Sequence, residues 1–327
     1  MTRFGYTLMT EQSGPRELVR YAQQAEDIGF DFEVSSDHYS PWLVSQGHAP
    51  YAWSVLGAVA HATSRVDLMT YVTCPTMRYH PAVVAQKSAT IQELSEGRFT
   101  LGLGAGESLN EHVVGEGWPG VDQRQDMLVE AIEIIRALHT GDLVTYDGAY
   151  FRVDSARVWD APEGGVPLGV AVSGGSSLSK FAPLGDHMIA VQPEADLVTG
   201  WDQERQDATA PQGGSRKIGQ VPISWDPDKD AAIARAHDQF RWFGGGWAVN
   251  ADLPTPAGFE AASQFVRPED VASSIPCGPD LDELAEGVRP FLDAGFTDVA
   301  IVQIGDEKQQ QFLDEVAGPL LEKLRAL

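Results

Sequence analysis

The stretch PAVVAQKSATIQELSEGRFTLGLGAG, residues 81–106, decides the fold. It opens on a proline, spaces its apolar residues as a helix does and stops at Gly97. Proline suits a first helical position, where its missing N–H has no partner to lose. Glycine suits the stop because it turns left-handed at little steric cost. The period then changes into a short apolar run, RFTLGLGAG (residues 98–106), which reads as a strand. A helix followed at once by a buried strand is one unit of an alternating α/β fold.

The same punctuation recurs on both sides. FGYTLM (residues 4–9) reads as a first strand, and PRELVRYAQQAEDIGF (15–30) as a helix from Pro15 to Gly29. FEVSS (32–36) and VDLMTYVTC (66–74) read as strands two and three, with the helix AWSVLGAVAHATS (52–64) between them. RFTLGLGAG is the fourth strand, followed by the helix DQRQDMLVEAIEIIRALHTG (122–141), with Met127, Ile134, Ile135 and Leu138 at helical spacing. VPLGVAVSGG (166–175), DHMIAVQ (186–192), IGQVPISW (218–225) and TDVAIVQI (297–304) read as strands five to eight, before a last helix through residues 310–327. Residues 142–159 read as a hairpin insertion turning at Asp147–Gly148, and residues 240–259, with three consecutive glycines, as an irregular loop over the barrel mouth. Eight such units close a (β/α)8 TIM barrel with insertions, and the 327 residues show no compositional break, so one domain over 1–327 is expected.

Lys and Arg number 23 against 47 Asp and Glu, a net charge of −24. That balance argues against nucleic-acid and membrane-surface binding, both of which need basic patches. It suits a soluble protein, and a salty cytoplasm too. Two cysteines, Cys74 and Cys277, give neither a zinc spacing nor a disulfide framework. The N-terminus lacks the pattern of a signal peptide, and no apolar run is long enough for a membrane helix. A cytoplasmic location with no metal is expected.

In a TIM barrel the chemistry sits at the carboxyl ends of the strands. Those ends carry Glu11 after strand one, and Asp37, His38 and Trp42 after strand two. Cys74 closes strand three, Glu107 and Asn110 follow strand four, and SGGSS (Ser173, Gly174, Gly175, Ser176, Ser177) follows strand five. Adjacent strand residues face opposite ways, so Asp37 is free to face a ligand while His38 handles a proton. Glu107 suits a helix start equally well, and SGGSS is either a plain turn or a set of N–H groups and hydroxyls for a phosphate.

The pieces VSSDHYSPW…GHAP, CPTMRYHPAVVAQ, LGLGAGESLNE and GGVPLGVAVSGG resemble the luciferase-like family, in its branch that uses the deazaflavin coenzyme F420, above all the glucose-6-phosphate dehydrogenases. The resemblance spans nearly the whole chain. It implies a TIM barrel, a homodimer, a small-molecule substrate and coenzyme F420 in the barrel mouth. It implies that Asp37 contacts the coenzyme, that His38 is the base for a substrate hydroxyl and that Trp42 stacks near the reacting carbon. Tyr71–Val72 falls where the family has a bulge with a non-proline cis peptide, and Cys74 stands where relatives often carry a threonine. Ala105, Gly106, Glu107 and Asn110 match the second coenzyme strip, with Glu107 exchanging a proton with the ring. Ser173 to Ser177 match the segment that holds the coenzyme phosphate.

One departure bears on the substrate. The sugar-phosphate dehydrogenases grip phosphate with lysines and an arginine, but here Glu194 stands where a lysine is expected and EDVASSIPCGPD offers none. Arg241, Arg267 and Arg289 are the candidates to compensate. The expected reaction is hydride transfer between a C–OH or C=O carbon of a non-phosphorylated substrate and the deazaflavin. Alternatives are reduction of an activated double bond, an FMN-dependent monooxygenase reaction and a non-catalytic coenzyme-binding role.

Overall fold

A computed structural model describes residues 2–205 and 213–327. Eight parallel strands close a barrel in the order β1-β10-β9-β8-β7-β4-β3-β2. They are β1 (Arg3–Leu8), β2 (Phe32–Ser35), β3 (Asp67–Thr70), β4 (Phe99–Leu103), β7 (Leu168–Ala171), β8 (His187–Ile189), β9 (Lys217–Ile223) and β10 (Asp298–Gln303). The two remaining strands, β5 (Val144–Asp147) and β6 (Arg152–Ala156), form the expected hairpin outside the barrel. The helices Pro15–Ile28 and Pro81–Leu94 begin on their prolines as expected. No helix among the described residues is long and apolar enough to cross a membrane.

The barrel interior is filled by Phe32, Val34, Met69, Ile189, Ile218 and Ala300. Large side chains fit there because glycines face them. A Cβ on Gly5 would lie 2.5 Å from the Phe32 ring, and one on Gly169 2.8 Å from Ile189. A second glycine series fixes the rim. Added Cβ atoms on Gly102, Gly104 and Gly106 would meet the Thr70 carbonyl, Val72 and Cys74 at 1.9, 2.6 and 2.6 Å. The LGLGAG run is therefore the surface against which the end of the third strand lies.

That end is shorter as a strand than the sequence suggested. Regular pairing stops at Met69↔Thr100 and resumes in a single bridge at Thr73↔Leu103. Four residue steps on one side match three on the other, so one extra residue bulges out. The Tyr71–Val72 peptide within the bulge is cis.

Two loop expectations are corrected. The hairpin does not turn on Asp147–Gly148 alone: Asp147 pairs with Arg152, leaving a four-residue turn over residues 148–151. The Glu130 carboxylate accepts the N–H groups of Ala149, Tyr150 and Phe151 and holds that wider turn. Residues 240–259 are not an irregular loop. They contain a 3-10 turn (Arg241–Gly245) and the helices Trp247–Asn250 and Pro256–Ser263. Phe259, Trp242 and Phe243 order this segment by joining an apolar cluster with Trp42 and Leu109.

Strand alternation turns Glu33 away from the interior that Phe32 and Val34 fill. Glu33 is 1% exposed, and neither carboxyl oxygen has a hydrogen-bond partner. Burial, reinforced by Glu26, pushes its carboxyl well above the usual range. A raised folded-state value favours the fold at low pH and costs stability as pH rises past the unfolded-state value of about 4.3. Glu33→Met is expected to raise the melting temperature by several degrees at neutral pH, with the gain vanishing near pH 4. Thermal melts of both proteins across that range check it.

Candidate active site

Three strand ends deliver three titratable side chains to one point. Glu11 follows β1, His38 follows β2 and Glu107 follows β4. His38 Nδ1 lies 2.8 Å from Glu11 Oε1, and His38 Nε2 lies 3.0 Å from Glu107 Oε1. The Nδ1 contact is a close ion pair that lacks the alignment of a hydrogen bond.

Each carboxylate is held in turn. Ser36 Oγ donates to Glu11 Oε2 at 2.5 Å, and Thr10 Oγ1 donates to it at 3.2 Å. Asn110 Nδ2 donates to Glu107 Oε1 at 3.2 Å. Asn110 Oδ1 accepts the N–H groups of Tyr39 and Ser40 at 2.8 and 3.2 Å. One buried asparagine thus joins the loop that carries His38 to the turn that carries Glu107.

A ring with a carboxylate at each nitrogen has acceptors on both sides, so its favoured form is the doubly protonated cation. Burial opposes that charge, but the fields of Glu11 and Glu107 outweigh it and push His38 up to about 10. The reciprocal effect shows at Glu11: burial would raise its carboxyl, yet the His38 charge and hydrogen bonds hold it below the usual value.

Trp42 stands edge-on to His38, with ring centroids 5.0 Å apart. Trp242 stacks on Trp42 at 4.0 Å and 8° between planes, and Phe259 meets Trp42 edge-on at 5.1 Å. An apolar wall from two distant segments therefore flanks the cation.

Asp37 faces the opposite way. Its Oδ2 accepts from Trp53 Nε1 (2.9 Å) and Thr73 Oγ1 (2.8 Å), and its Oδ1 from Tyr79 OH (3.1 Å) and Arg78 Nη2 (3.2 Å). Its side chain has no exposed surface. Cys74 is buried, its Sγ 3.1 Å from Thr76 Oγ1, and burial pushes the thiol up. Gly106, at φ +78°, lies directly against it. In the 173–177 segment, Ser177 Oγ accepts from the Ser173 N–H and donates to the Gly174 carbonyl, while Ser176 Oγ donates to Gln125. No group of His, Cys, Asp or Glu among the described residues could hold a metal ion.

The structure thus gathers Glu11, His38, Trp42, Glu107 and Asn110 and sets Asp37 behind them. Sequence reading left unplaced the partner of the Trp42 ring, Trp242, and overlooked the buried neighbours Arg78 and Glu111. The only signal for the last two was their position in the loops after strands three and four.

The luciferase-like monooxygenase profile matches residues 1–298. An F420-dependent glucose-6-phosphate dehydrogenase of Nocardia farcinica is 37% identical over 341 residues, covering 99% of this chain and 98% of its own. One from Segniliparus rotundus is 36% identical with the same coverage. An F420-dependent secondary alcohol dehydrogenase, solved with an F420-acetone adduct, superposes with a TM-score of 0.90 at 28% identity, covering 99% of both chains.

Removing one of the two carboxylates should release the His38 proton more easily. Glu11→Gln is expected to lower the His38 midpoint from about 10 by at least one unit. That is a loss of at least about 1.4 kcal/mol in preference for the cation. A histidine NMR titration of the coenzyme-free protein reads it directly.

Proposed function

Since the chain belongs to the luciferase-like monooxygenase family, we propose that it is a coenzyme F420-dependent oxidoreductase that moves a hydride between the deazaflavin and a C–OH or C=O carbon of a non-phosphorylated substrate. The observation that carries this reading is His38 between Glu11 and Glu107 beside the Trp42 wall. Named relatives with high coverage support the coenzyme.

The residues present fit such a group. Ala105 and Gly106 form a strip with minimal side chains behind Glu107. Added Cβ atoms on Gly174 and Gly175 would meet nothing within 4 Å, which leaves their backbone open to close approach. Tyr71, Val72, Cys74, Ala105, Gly106 and Asn110 would flank the ring, and Ser173 to Ser177 would hold the phosphate. Asp37, fully buried and filled by four donors, would support the site from behind and not touch the ring. When bound, the deazaflavin accepts or gives the hydride.

The chain's own residues manage the protons. Oxidation of an alcohol carbon needs its hydroxyl proton removed, so one His38 nitrogen must be bare. Reduction of a carbonyl needs a proton on the oxygen, and the imidazolium is the form that donates it. Glu107, 3.0 Å from His38 Nε2, would be the carboxylate placed to give a proton to a bound deazaflavin or take one from it. Glu11 keeps the imidazole oriented, and Trp42 with Trp242 excludes water from the reacting face.

The polar requirements of a phosphate are poorly met. Glu194 is exposed where a cation would be needed. Arg267 and Arg289 are bound to Asp270 and Glu286 on their own helical turns, and Arg241 donates to the Asp238 carbonyl. The stacked Trp42–Trp242 face suits an apolar alcohol or ketone instead. A homodimer in the cytoplasm completes this reading, and light scattering checks its mass.

Five outcomes are expected. A fluorescence titration should show tight binding of coenzyme F420 and none of FMN. Glucose 6-phosphate should turn over poorly or not at all. His38→Ala should lower kcat by about 10²–10⁴-fold. With His38 near 10 in the ligand-free protein, kcat/KM for alcohol oxidation should climb with pH toward that value as the neutral ring accumulates, and kcat/KM for carbonyl reduction should fall over the same range. Trp242→Ala should raise KM for apolar alcohols more than it lowers kcat.

A further inference from the structure

We propose that Arg78, clamped between Asp37 and Glu111, is the positioning residue that sets the His38–Glu107 contact. Arg78 lies in the loop after β3 and its side chain is 8% exposed. Its Nη2 donates to the Asp37 carbonyl at 2.6 Å and to Asp37 Oδ1 at 3.2 Å. Its backbone N–H donates to Glu111 Oε2 at 2.9 Å, and its Nε lies 3.6 Å from Glu111 Oε1. One guanidinium therefore spans the loops after β2 and β4 from its own loop after β3.

The chain positions give this bridge its leverage. Asp37 immediately precedes His38. Glu111 is one turn beyond Glu107, and its N–H bonds the Glu107 carbonyl at 3.3 Å. Each end of the His38–Glu107 pair is thus fixed through a near neighbour on Arg78. Asp37 cannot pivot freely, because Trp53, Thr73 and Tyr79 occupy its remaining acceptor positions. The guanidinium carbon lies 4.6 Å from the centroid of the Tyr79 ring, a cation–π contact that adds to its hold.

Asp37 and Glu111 both sit in low-dielectric surroundings, where an unpaired charge is costly. Loss of Arg78 would leave two carboxylates facing each other's loops with no cation between them. Burial pushes Glu111 up to about 7, against the pull of Arg78; the charges around it are Arg78, Glu107 and Asp37, with Lys87 nearby. The bridge is therefore fully charged only above neutral pH.

A buried arginine that merely holds loops together would lower thermal stability without touching His38. A positioning role makes a different demand. The charges that set the His38 midpoint are those of Glu11 and Glu107. Arg78→Lys keeps the charge and so reaches that midpoint by moving Glu107 or His38. Glu111→Gln also removes a nearby negative charge and lowers the midpoint by that alone, so Arg78→Lys is the deciding variant.

The experiment titrates His38 by NMR in coenzyme-free Glu111→Gln and Arg78→Lys, beside kcat, KM and thermal melts. Glu111→Gln keeps an acceptor for the Arg78 N–H and loses the charge; Arg78→Lys keeps the charge and loses the fork. Both are expected to drop the His38 midpoint by about one unit or more. They should also lower kcat by about tenfold with substrate KM changed less than about twofold. A folded variant whose His38 midpoint stays within about 0.3 unit of the parent overturns the inference, whatever its activity. If Glu111→Gln fails to fold, Arg78→Lys decides by the same criterion. The kcat arm rests on the proposed function and the titration does not, so a shifted midpoint in a protein without F420 activity retains the bridge and rejects the activity.

Discussion

A positive charge at His38, buried between Glu11 and Glu107, is the constraint around which the barrel mouth is arranged. Two charges about 4 Å apart attract by about 4 kcal/mol at the effective dielectric near a protein surface. That is enough to offset the burial of an imidazolium only if both carboxylates stay in place. Hence each has its own donors: Ser36 and Thr10 for Glu11, Asn110 for Glu107. Under the proposed function, the same arrangement would let one histidine serve both directions of a hydride transfer. A substrate hydroxyl that takes the Glu107 side of the ring removes one negative neighbour and adds none. The ring then holds its proton less firmly and becomes a base while Glu11 still orients it.

The rim that carries Glu107 is built by absence of side chains. Gly102, Gly104 and Gly106 alternate along one face of β4 and its extension, and each receives an atom of the Thr70–Cys74 segment where a Cβ would stand. This close approach accommodates the bulge at the end of β3 and its cis Tyr71–Val72 bond. It also places Cys74 against Gly106, one residue before Glu107. An alanine at Gly106 would meet both the sulfur and an unfavourable positive φ. Packing inside the barrel and chemistry at its mouth are therefore linked through one glycine series.

Much of this was legible in the sequence, and for physical reasons. Pro15 and Gly29, like Pro81 and Gly97, mark helix ends because their backbone restrictions act locally. Strand alternation suggested different directions for Asp37 and His38, but β2 ends at Ser35 and their directions are set in the loop beyond it. Alternation did not say which residue faced which way. That choice belongs to Trp53, Thr73, Arg78 and Tyr79, whose donors draw the Asp37 carboxylate inward from elsewhere in the chain. The Trp42–Trp242 stack was hidden for the same reason: 200 residues separate the two rings, and no local period pairs them. The glycine run at 244–246 looked like an open loop, but packing of the half-buried Trp242 and the buried Phe259 against Trp42 orders the segment around it.

Charge at the site also bears on what it accepts. Its ion pairs join two cations, His38 and Arg78, to four carboxylates, Glu11, Glu107, Asp37 and Glu111. Both cations are already engaged from two sides, so neither is free to meet an anionic substrate. A phosphate drawn into such a mouth would need a further cation, and the wall beside His38 presents Trp42, Trp242 and Phe259 instead. Like-charge juxtaposition across a binding surface costs several kcal/mol and is an effective means of rejecting a ligand. An uncharged alcohol or ketone meets no such penalty. Its hydroxyl or carbonyl would, under that function, find one partner at His38, and its carbon skeleton the stacked indoles. On the proposed reading, the likeness to F420-dependent glucose-6-phosphate dehydrogenases would extend to the hydride-transfer apparatus and not to the substrate, because the wall beside His38 is aromatic surface and not charge.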